Sequence, residues 1–446
     1  SSGDTVLVAA GTYTENIIWP ETNGIKLISA GDSSNTIIDG GGVSSVIYMN
    51  PQTATIDTTT LIQGFKITNG GNTISGGGLY LNNAGIKLKL TDVSGNHVEL
   101  GSDQYGGGIY MNNSTFSLIV NCTIKENSIS EAFAQRSGGG IYFINSAVNI
   151  SSSIISGNRA REGAGISGFN STFNAVEVSI SNNQLFQSGS GGGATLWNTT
   201  SDWKSCIIEE NGTEDNPSSG SAGGLNLGEG THSFQNSIIR NNWHGWSAGG
   251  IDGYNTTITY DTLIVIGNEA GNKGGGISTY NNTIFRGKGL FIISNKANGA
   301  GGGINMGTGE LSGATILYNE ASQGAAINIY ATYQGTSSHS IDSVTVSNNL
   351  SNDSYSLYAT DINSISINKS NIINSNLYNA DNSIFIDAIN NYWGHSSGPY
   401  HPSQNSSGQG DSVNAFVNVT PWLTTPNTDA PPIPAQSVAV SNKGND

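Results

Sequence analysis

Residues 106–127 contain the repeat that decides the fold. They read GGGIYMNNSTFSLIVNCTIKEN, a glycine triplet, then alternating apolar residues, then an apolar residue three positions before an asparagine. The glycine motif recurs ten times, with copies about 28 residues apart between Leu79 and Ile327. The apolar residue and its asparagine recur with it. The asparagines are Asn96, Asn127, Asn158, Asn183, Asn211, Asn242, Asn268, Asn295, Asn319 and Asn349.

The apolar residues inside each repeat have a period of two. After the triplet, Ile109 and Met111 are expected to point inward and Tyr110 outward, which is typical of a strand. Helical spacing is rare, and Gly and Asn interrupt the chain every few residues. A unit of this size buries no face alone and must stack on its neighbours. We therefore predict an all-β fold, a right-handed single-stranded parallel β-helix of about 15 coils, its hand following from the twist of parallel connections.

The corner residues predict how successive coils are joined. We expect each repeated asparagine to adopt a left-handed φ and to hydrogen-bond to the asparagines above and below it. We expect the glycines to form a second corner, where φ is positive or a Cβ would collide. Cys122 and Cys206 fall in one column three coils apart, about 14 Å, which is too far for a disulfide. Both are expected to be free, buried thiols.

Composition excludes several classes of partner. The 446 residues carry 16 Lys and Arg against 32 Asp and Glu, a net charge of −16, so no basic footprint for nucleic acid exists. No apolar stretch approaches about 20 residues, so direct membrane insertion is not expected. Metal-binding motifs are absent, and we expect no cofactor, although oxygen-rich turns leave Ca²⁺ binding open.

Three segments follow one another along the chain. Residues 1–423 are predicted to form the β-helix, and residues 424–436, which contain four prolines, a Pro-rich linker. Residues 437–446 read as the start of a following module or as a docked C-terminal strand. The segment 424–446 is also a candidate contact with other copies of the chain.

Two known groups of proteins resemble parts of this sequence. Residues 3–18, and the block 390–399 with 419–423, are similar to the opening and closing segments of secreted pectin-lyase-like β-helix proteins. Over residues 76–349, the Gly-Gly-Gly-Ile and Ile-x-x-Asn elements resemble the repeats of polymorphic outer-membrane adhesins. These resemblances imply a secreted, extracellular or cell-surface protein that adheres or forms oligomers.

Aromatic residues supply the candidate binding sites. Tyr80, Tyr110 and Tyr142 are predicted to share one outward column, as a platform for sugar rings or as a stack that only stabilises the sheet. Trp243 and Trp246 flank His244 in an aromatic turn, read either as a sugar subsite or as a capped turn.

The basic residues supply the only catalytic candidates. If the protein is an enzyme, Arg136 and Arg161, flanked by Glu131 and Glu162, would act on an acidic sugar. The alternative reading is a solvated ion-pair network. No pair of carboxylates with glycosidase spacing is recognisable.

The sequence therefore favours one function and leaves a second open. The first is a structural or adhesive rod, with self-assembly into oligomers or filaments as a further expectation. The second is a carbohydrate-active enzyme, a polysaccharide lyase or glycoside hydrolase, or a protein that binds extracellular polysaccharide.

Overall fold

The chain winds into a parallel β-helix of about 14 turns. The computed structural model describes residues 1–101, 103–130, 135–213, 219–330 and 338–434, without the side chains of residues 135 and 136. These ranges contain 55 strands and no helix, and therefore no helix that could span a bilayer. The predicted fold class is confirmed, with about one coil fewer than expected, and the right-handed winding stays a prediction.

Sheet 1 is formed by the strand that follows each glycine triplet. Its neighbours pair in parallel, residue for residue, as in Ile109 with Ile141. Its 14 strands are Ile17–Ile18, Ile47–Met49, Leu79–Asn82, Ile109–Asn112, Ile141–Ile144, Ile166–Phe169, Ala194–Trp197, Leu225–Gly228, Ile251–Tyr254, Ile277–Tyr280, Ile304–Met306, Ile327–Tyr330, Leu357–Thr360 and Leu377–Asn379.

Sheet 2 has 27 strands, because most coils contribute two of them on either side of a bend. The strands before the bend are Thr5–Val8, Lys26–Ser29, Leu61–Gln63, Lys87–Lys89, Ser117–Val120, Ala147–Ser151, Thr172–Val176, Thr200–Lys204, Gly309–Ser312, Ser338–Asp342, Ser364–Asn368, Ile386–Asp387 and Val417–Asn418. Those after it are Gly11–Thr14, Thr36–Asp39, Lys66–Thr68, Asp92–Ser94, Thr123–Lys125, Ile154–Ser156, Ser179–Ser181, Ile207–Glu209, Ala314–Leu317, Thr345–Ser347 and Asn371–Ile373. Three strands run through the bend: Thr231–Arg240, Thr257–Ile266 and Thr283–Ile293.

Sheet 3 lies between the repeated asparagine and the next glycine triplet. Its 12 strands are His97–Val98, Asp103–Tyr105, Ser128–Ile129, Gln135–Ser137, Arg159–Glu162, Gln184–Ser190, Gly212–Thr213, Trp243–His244, Glu269–Ala270, Lys296–Ala297, Glu320–Ala321 and Leu350–Ser351. Near the C-terminal end, Pro399–Tyr400 pairs with Gly410–Ser412 as a separate two-stranded sheet.

The interior of the β-helix is a continuous apolar column. Equal positions of consecutive coils lie on one another, so like side chains stack along the axis. Trp203 and Phe234 are register partners of this kind and stack with 5.8 Å between ring centroids. Phe173 contacts Trp203 of the next coil at 5.0 Å, and Phe143, from sheet 1, stacks on Phe173 of sheet 2 at 5.6 Å. All four rings are buried. Burial of this kind of surface is the main stabilising term, about 25 cal/mol per Å².

The repeated asparagines form the predicted ladder. The Asn127 side-chain amide donates to Asn158 Oδ1 at 3.0 Å and to the Val93 carbonyl at 2.9 Å, while its backbone N–H also donates to Asn158 Oδ1. The same side-chain bond links every neighbouring pair from Asn96 to Asn349. These buried hydrogen bonds satisfy the polar groups at the corner and join each coil to the next.

The prediction that these asparagines are left-handed was wrong. The left-handed residue is the one before each asparagine, with φ of 54° at Glu126 and 56° at Tyr318. The ten positions are Gly95, Glu126, Gly157, Asn182, Glu210, Asn241, Gly267, Ser294, Tyr318 and Asn348. The chain reverses at that outward-facing residue so that the following amide can point inward to the ladder.

The glycine corner has both properties that were expected of it. The first position of each triplet has a positive φ, 64° at Gly106 and 62° at Ala222. At the next two positions the coils approach closely and most repeats carry glycine, although Ala164, Ala325 and Ala326 occupy these positions in two repeats. A Cβ on Gly107 would lie 2.5 Å from the Gly139 carbonyl oxygen, and one on Gly108 would lie 2.7 Å from that of Gly140. Cys122 and Cys206 are free and buried, as predicted, and burial raises the pKa of both thiols to about 11.

The C-terminal segment is packed against the β-helix. Trp393 is fully buried in the core and Trp422 packs against it. Residues 424–434 then run back along sheet 2, where Asn427 and Asn371 exchange two hydrogen bonds, at 2.7 and 3.0 Å. The Thr345 hydroxyl donates to the Pro431 carbonyl, and Ala430 is buried. The described part of this segment therefore contacts the chain's own coils.

Candidate functional site

The predicted tyrosine column exists and is longer than expected. Tyr80 and Tyr110 stack with ring centroids 5.0 Å apart, Tyr110 and Tyr142 with centroids 5.7 Å apart, and Tyr48 extends the stack by one coil at 4.7 Å from Tyr80. Tyr142 is only 6% exposed, since Tyr105 and Phe169 cover it. Burial raises the pKa of Tyr142, so the phenol stays neutral. Its ring offers little free surface, whereas Tyr80 and Tyr110 are half-buried.

The same column of sheet 1 becomes polar over the next seven coils. Register places small or amide side chains and one carboxyl there, and two further tyrosines end the polar stretch, Tyr358 and Tyr378, whose centroids are 5.6 Å apart. The seven polar residues, called here the polar floor, are Ser167, Thr195, Asn226, Asp252, Ser278, Asn305 and Asn328.

A row of half-buried aromatic rings follows the polar floor two residues further along each strand. This aromatic wall consists of Phe169, Trp197, Tyr254, Tyr280 and Tyr330. Trp197 and Tyr254 are separated by one coil, yet their centroids are 5.5 Å apart. The coil between them carries Gly228, and a Cβ there would lie 2.6 Å from the Trp197 ring. Glycine at this position therefore allows the indole to lie flat across the next coil.

Two cavities lie along the floor and the wall. The first has a volume of about 540 Å³ and is lined by Trp197, Tyr254 and Tyr280 together with Asn226 and Asp252. The second, about 490 Å³, is lined by residues of the following coils, among them Lys273, Asn305, Asn328 and Tyr330. An apolar ring surface next to hydrogen-bonding groups is the arrangement of a small-molecule or sugar site.

Asp252 is the unusual group of this groove. It is 4% exposed, lines the first cavity, and its Oδ1 has no hydrogen-bond partner among the described residues. Burial raises the pKa of Asp252 to about 7, and the Ser221 hydroxyl and the Lys273 ammonium only partly oppose this effect. The carboxyl is therefore both an unfilled acceptor and a group that titrates near neutral pH.

Lys273 is held beside this carboxyl by aromatic rings. Its Nζ lies 5.9 Å from the Tyr280 centroid and 5.5 Å from the Tyr330 centroid, distances at which the ammonium is attracted to the ring face. The Tyr280 hydroxyl is 3.1 Å from the Ser247 hydroxyl. These contacts fix the positive charge between the two cavities.

The aromatic turn at residues 243–246 is organised by its histidine. The His244 ring is fully buried; Nδ1 accepts the backbone N–H of Trp246 at 3.0 Å and of Ser247 at 3.3 Å, and Nε2 faces the Gly189 carbonyl at 3.1 Å. Burial lowers the pKa of His244 to about 4, so it stays neutral. His244 therefore holds the turn, Trp243 is half-buried, and Trp246 is 38% exposed.

The four catalytic candidates are not assembled into one described centre. Glu131 and the side chain of Arg136 lie outside the described residues. Arg161 and Glu162 belong to one strand of sheet 3, and Glu162 lines the first cavity. Among the described residues no group of three or more His, Cys, Asp or Glu is arranged to hold a metal ion, and Ca²⁺ binding stays a prediction.

The sequence contains a signal for the groove. Equal positions of the repeat continue the column of Tyr80, Tyr110 and Tyr142 to Asp252, and the fourth residue of each strand can be aligned in the same way. Doing so brings Trp197, Tyr254 and the rest of the aromatic wall into one row. The burial of Asp252 had no signal, because strand alternation predicts only that it points outward.

Comparison with known proteins adds no match. No family model, no curated protein and no solved structure matches this chain. The resemblances to pectin-lyase-like proteins and to polymorphic outer-membrane adhesins therefore stay expectations. The function is inferred from the fold and the groove.

Proposed function

We propose that this protein is a secreted or cell-surface rod that adheres by binding an extracellular polysaccharide in the groove of sheet 1. The observation that carries the proposal is the cavity of about 540 Å³ between the Trp197 and Tyr254 rings and the buried acceptor Asp252. Sugars present apolar C–H faces and hydroxyl edges, and this groove offers a partner for each.

The spacing of carboxylates favours binding over hydrolysis. Glu162 and Asp252 line the same cavity but are three coils apart: Glu162 is level with Ser190 of the next coil, and Ser221 and Ser247 follow on the two coils after that. Three coils are about 14 Å, whereas paired glycosidase carboxyls are about 5–9.5 Å apart. The groove therefore supports a lectin-like adhesive role better than the enzymatic alternative.

A binding assay with one aromatic variant tests the proposal. The protein is run through native gels that contain soluble polysaccharides, and retardation is compared with Trp197→Ala. Loss of the indole should weaken binding about tenfold or more, because stacking of a ligand ring on an aromatic side chain contributes on the order of 1–3 kcal/mol. Tyr400→Ala, an exposed aromatic outside sheet 1, is the matched control.

The outcomes separate clearly. Retardation that Trp197→Ala removes and Tyr400→Ala preserves supports the proposal. Failure of every neutral, acidic and amino-sugar polymer to bind would reject it. New reducing ends or unsaturated products in the same incubations would replace adhesion with the enzymatic function.

A further inference from the structure

We propose that the groove takes a neutral, extended, β-linked polysaccharide lying parallel to the β-helix axis, with one sugar on each coil of the polar floor. This inference rests on the proposed function and adds the class of polymer, its direction and its register. It starts from the geometry of the seven polar positions.

The direction follows from the repeat. Each residue of the polar floor is aligned with its counterpart on the next coil, from Ser167 through Asp252 to Asn328. Successive positions are about 4.8 Å apart, so the seven positions span about 29 Å. The rise of one sugar in an extended β-linked chain is close to that spacing. Five of the seven positions, Thr195, Asn226, Asp252, Asn305 and Asn328, line the two cavities, whereas Ser167 and Ser278 are fully buried. A chain laid along the axis would therefore meet polar side chains at five of its seven sugars.

The two ends of the groove fix its length. Tyr142 ends the polar floor on one side, where the ring stack fills the column, and Tyr358 with Tyr378 ends it on the other. Between these two ends, the rings of the aromatic wall lie beside the polar floor, where they would contact the C–H faces of the sugars. Two coils of the floor carry glycine instead of a ring, at Gly228 and Gly307. Trp197 lies across the first of them, and Tyr280 and Tyr330 approach to 6.3 Å across the second, so the wall is continuous.

The charges of the groove select a neutral polymer. Asp252 and Glu162 line the first cavity, and the chain carries a net charge of −16. The nearby cation, Lys273, already lies against two tyrosine rings and acts on Asp252. Above pH 7, where buried Asp252 is ionised, its charge would repel a uronate carboxylate in the cavity. A sugar hydroxyl can instead donate to the unfilled Asp252 Oδ1.

The test is a length series in three chemistries. Calorimetric titration is carried out with cello-oligosaccharides as the neutral β-linked probe, malto-oligosaccharides as the α-linked probe and oligogalacturonates as the acidic probe. For the first series, affinity should rise with every added sugar until the chain spans the seven coils of the floor, and then level off. The other two series should not gain affinity with length.

Two variants test whether Asp252 contacts the bound sugar. Asp252→Leu removes the acceptor at similar size and should weaken binding of the longest neutral probe about tenfold, in the range of a lost charged hydrogen bond. Asp252→Asn keeps an acceptor and should retain more of the affinity than Asp252→Leu. Tyr400→Ala is again the control, and the melting temperature of each variant verifies that it is folded.

Each contrary result has a distinct meaning. Affinity that stops rising after two or three sugars would overturn the one-sugar-per-coil register while leaving polysaccharide binding intact. Oligogalacturonates or malto-oligosaccharides that bind as tightly as the neutral β-linked probe would overturn the selectivity. An unchanged affinity in Asp252→Leu would remove this residue from the site. No binding in any series, together with no retardation by any polymer, would instead reject the proposed function itself.

Discussion

Asn183, in the middle of the ladder, shows what an interior asparagine contributes to stability. Its Oδ1 accepts both the backbone N–H and the amide of Asn158, and its Nδ2 donates to Asn211 Oδ1 and the Ile155 carbonyl. All four bonds are buried. Each buried donor or acceptor that loses its partner costs about 1–3 kcal/mol.

Asn183→Ala should therefore lower the free energy of unfolding by about 3 kcal/mol or more, measured by urea denaturation. The matched control is Asn174→Ala, because Asn174 is exposed and makes one side-chain bond, to Asn149 at 2.7 Å. We expect a change of about 0.5 kcal/mol or less there. Equal effects of the two substitutions would mean that the ladder adds nothing beyond surface hydrogen bonding.

A second prediction at the residue scale concerns Asp252 and the pH dependence of stability. Its pKa rises from the ordinary value of 3.8 to about 7 on folding, so the folded chain retains the proton over this range. The contribution to stability is fully present below about pH 4 and is lost as the pH rises through 7. Lys273, Tyr280 and Tyr330 face this carboxyl, and Glu162 lies in the same cavity.

Asp252→Asn removes the ionisation. The variant should be more stable than the parent by roughly 2–4 kcal/mol at pH 8, at about 1.4 kcal/mol per pKa unit, and similar to it at pH 4. Urea denaturation at both pH values measures the difference. Asp261→Asn, at an exposed position, corrects for the loss of one negative charge. If the difference in unfolding free energy between parent and variant is the same at pH 4 and pH 8, the Asp252 carboxyl is solvated.

At the scale of elements, the sequence predicts a feature correctly where the same residue type recurs in every coil. It does not predict a feature where the position recurs but the residue type varies. The ladder was predictable because Asn127, Asn158 and Asn183 present the same group to the same neighbour. The left-handed corner before each asparagine was not predictable, since glycine, glutamate and tyrosine all occupy it. What that corner requires is an outward side chain and a backbone reversal, and many residues satisfy this at a cost of about 1 kcal/mol.

The groove was half predictable for the same reason. Tyr80 and Tyr110 belong to an uninterrupted row of one residue type, which the sequence displays directly. The aromatic wall mixes phenylalanine, tryptophan and tyrosine, and the row is interrupted at Gly228 and Gly307. Only the contacts across those glycines, Trp197 with Tyr254 and Tyr280 with Tyr330, reveal one surface.

The C-terminal segment is the element whose packing can be tested alone. The Thr345 hydroxyl bonds to the Pro431 carbonyl. In Thr345→Val, proteinase K should cleave the 424–434 segment roughly fivefold faster, because one hydrogen bond of about 1 kcal/mol is lost. Thr315→Val is the matched control: Thr315 precedes Thr345 by one coil in the same register, and its hydroxyl has no partner among the described residues. Equal cleavage of the two variants would show that the contact does not retain the segment.

At the scale of the whole molecule, stability is a sum over stacked coils and their interfaces, so one coil can be removed without changing the fold. Ile141 and Ile166 are register partners on sheet 1. Deleting residues 141–165 joins Gly140 to Ile166, places equivalent strands side by side, and lets Asn127 meet Asn183 in the ladder. The shortened protein should stay folded, with a β-type circular dichroism spectrum and a melting temperature lowered by several degrees. The cost arises because Phe143 and Ile155 leave the core.

A deletion of half that length is the control that makes the result informative. Removing residues 141–152 takes away the sheet 1 strand and the whole of the following strand, so every later residue of that coil loses its register partner. It removes fewer residues, and yet it should unfold the chain or make it aggregate, since inward and outward positions no longer coincide with those of the neighbours. If both deletions are tolerated alike, coil register does not govern this fold. If both fail alike, the stack behaves as one cooperative body in which no coil is dispensable.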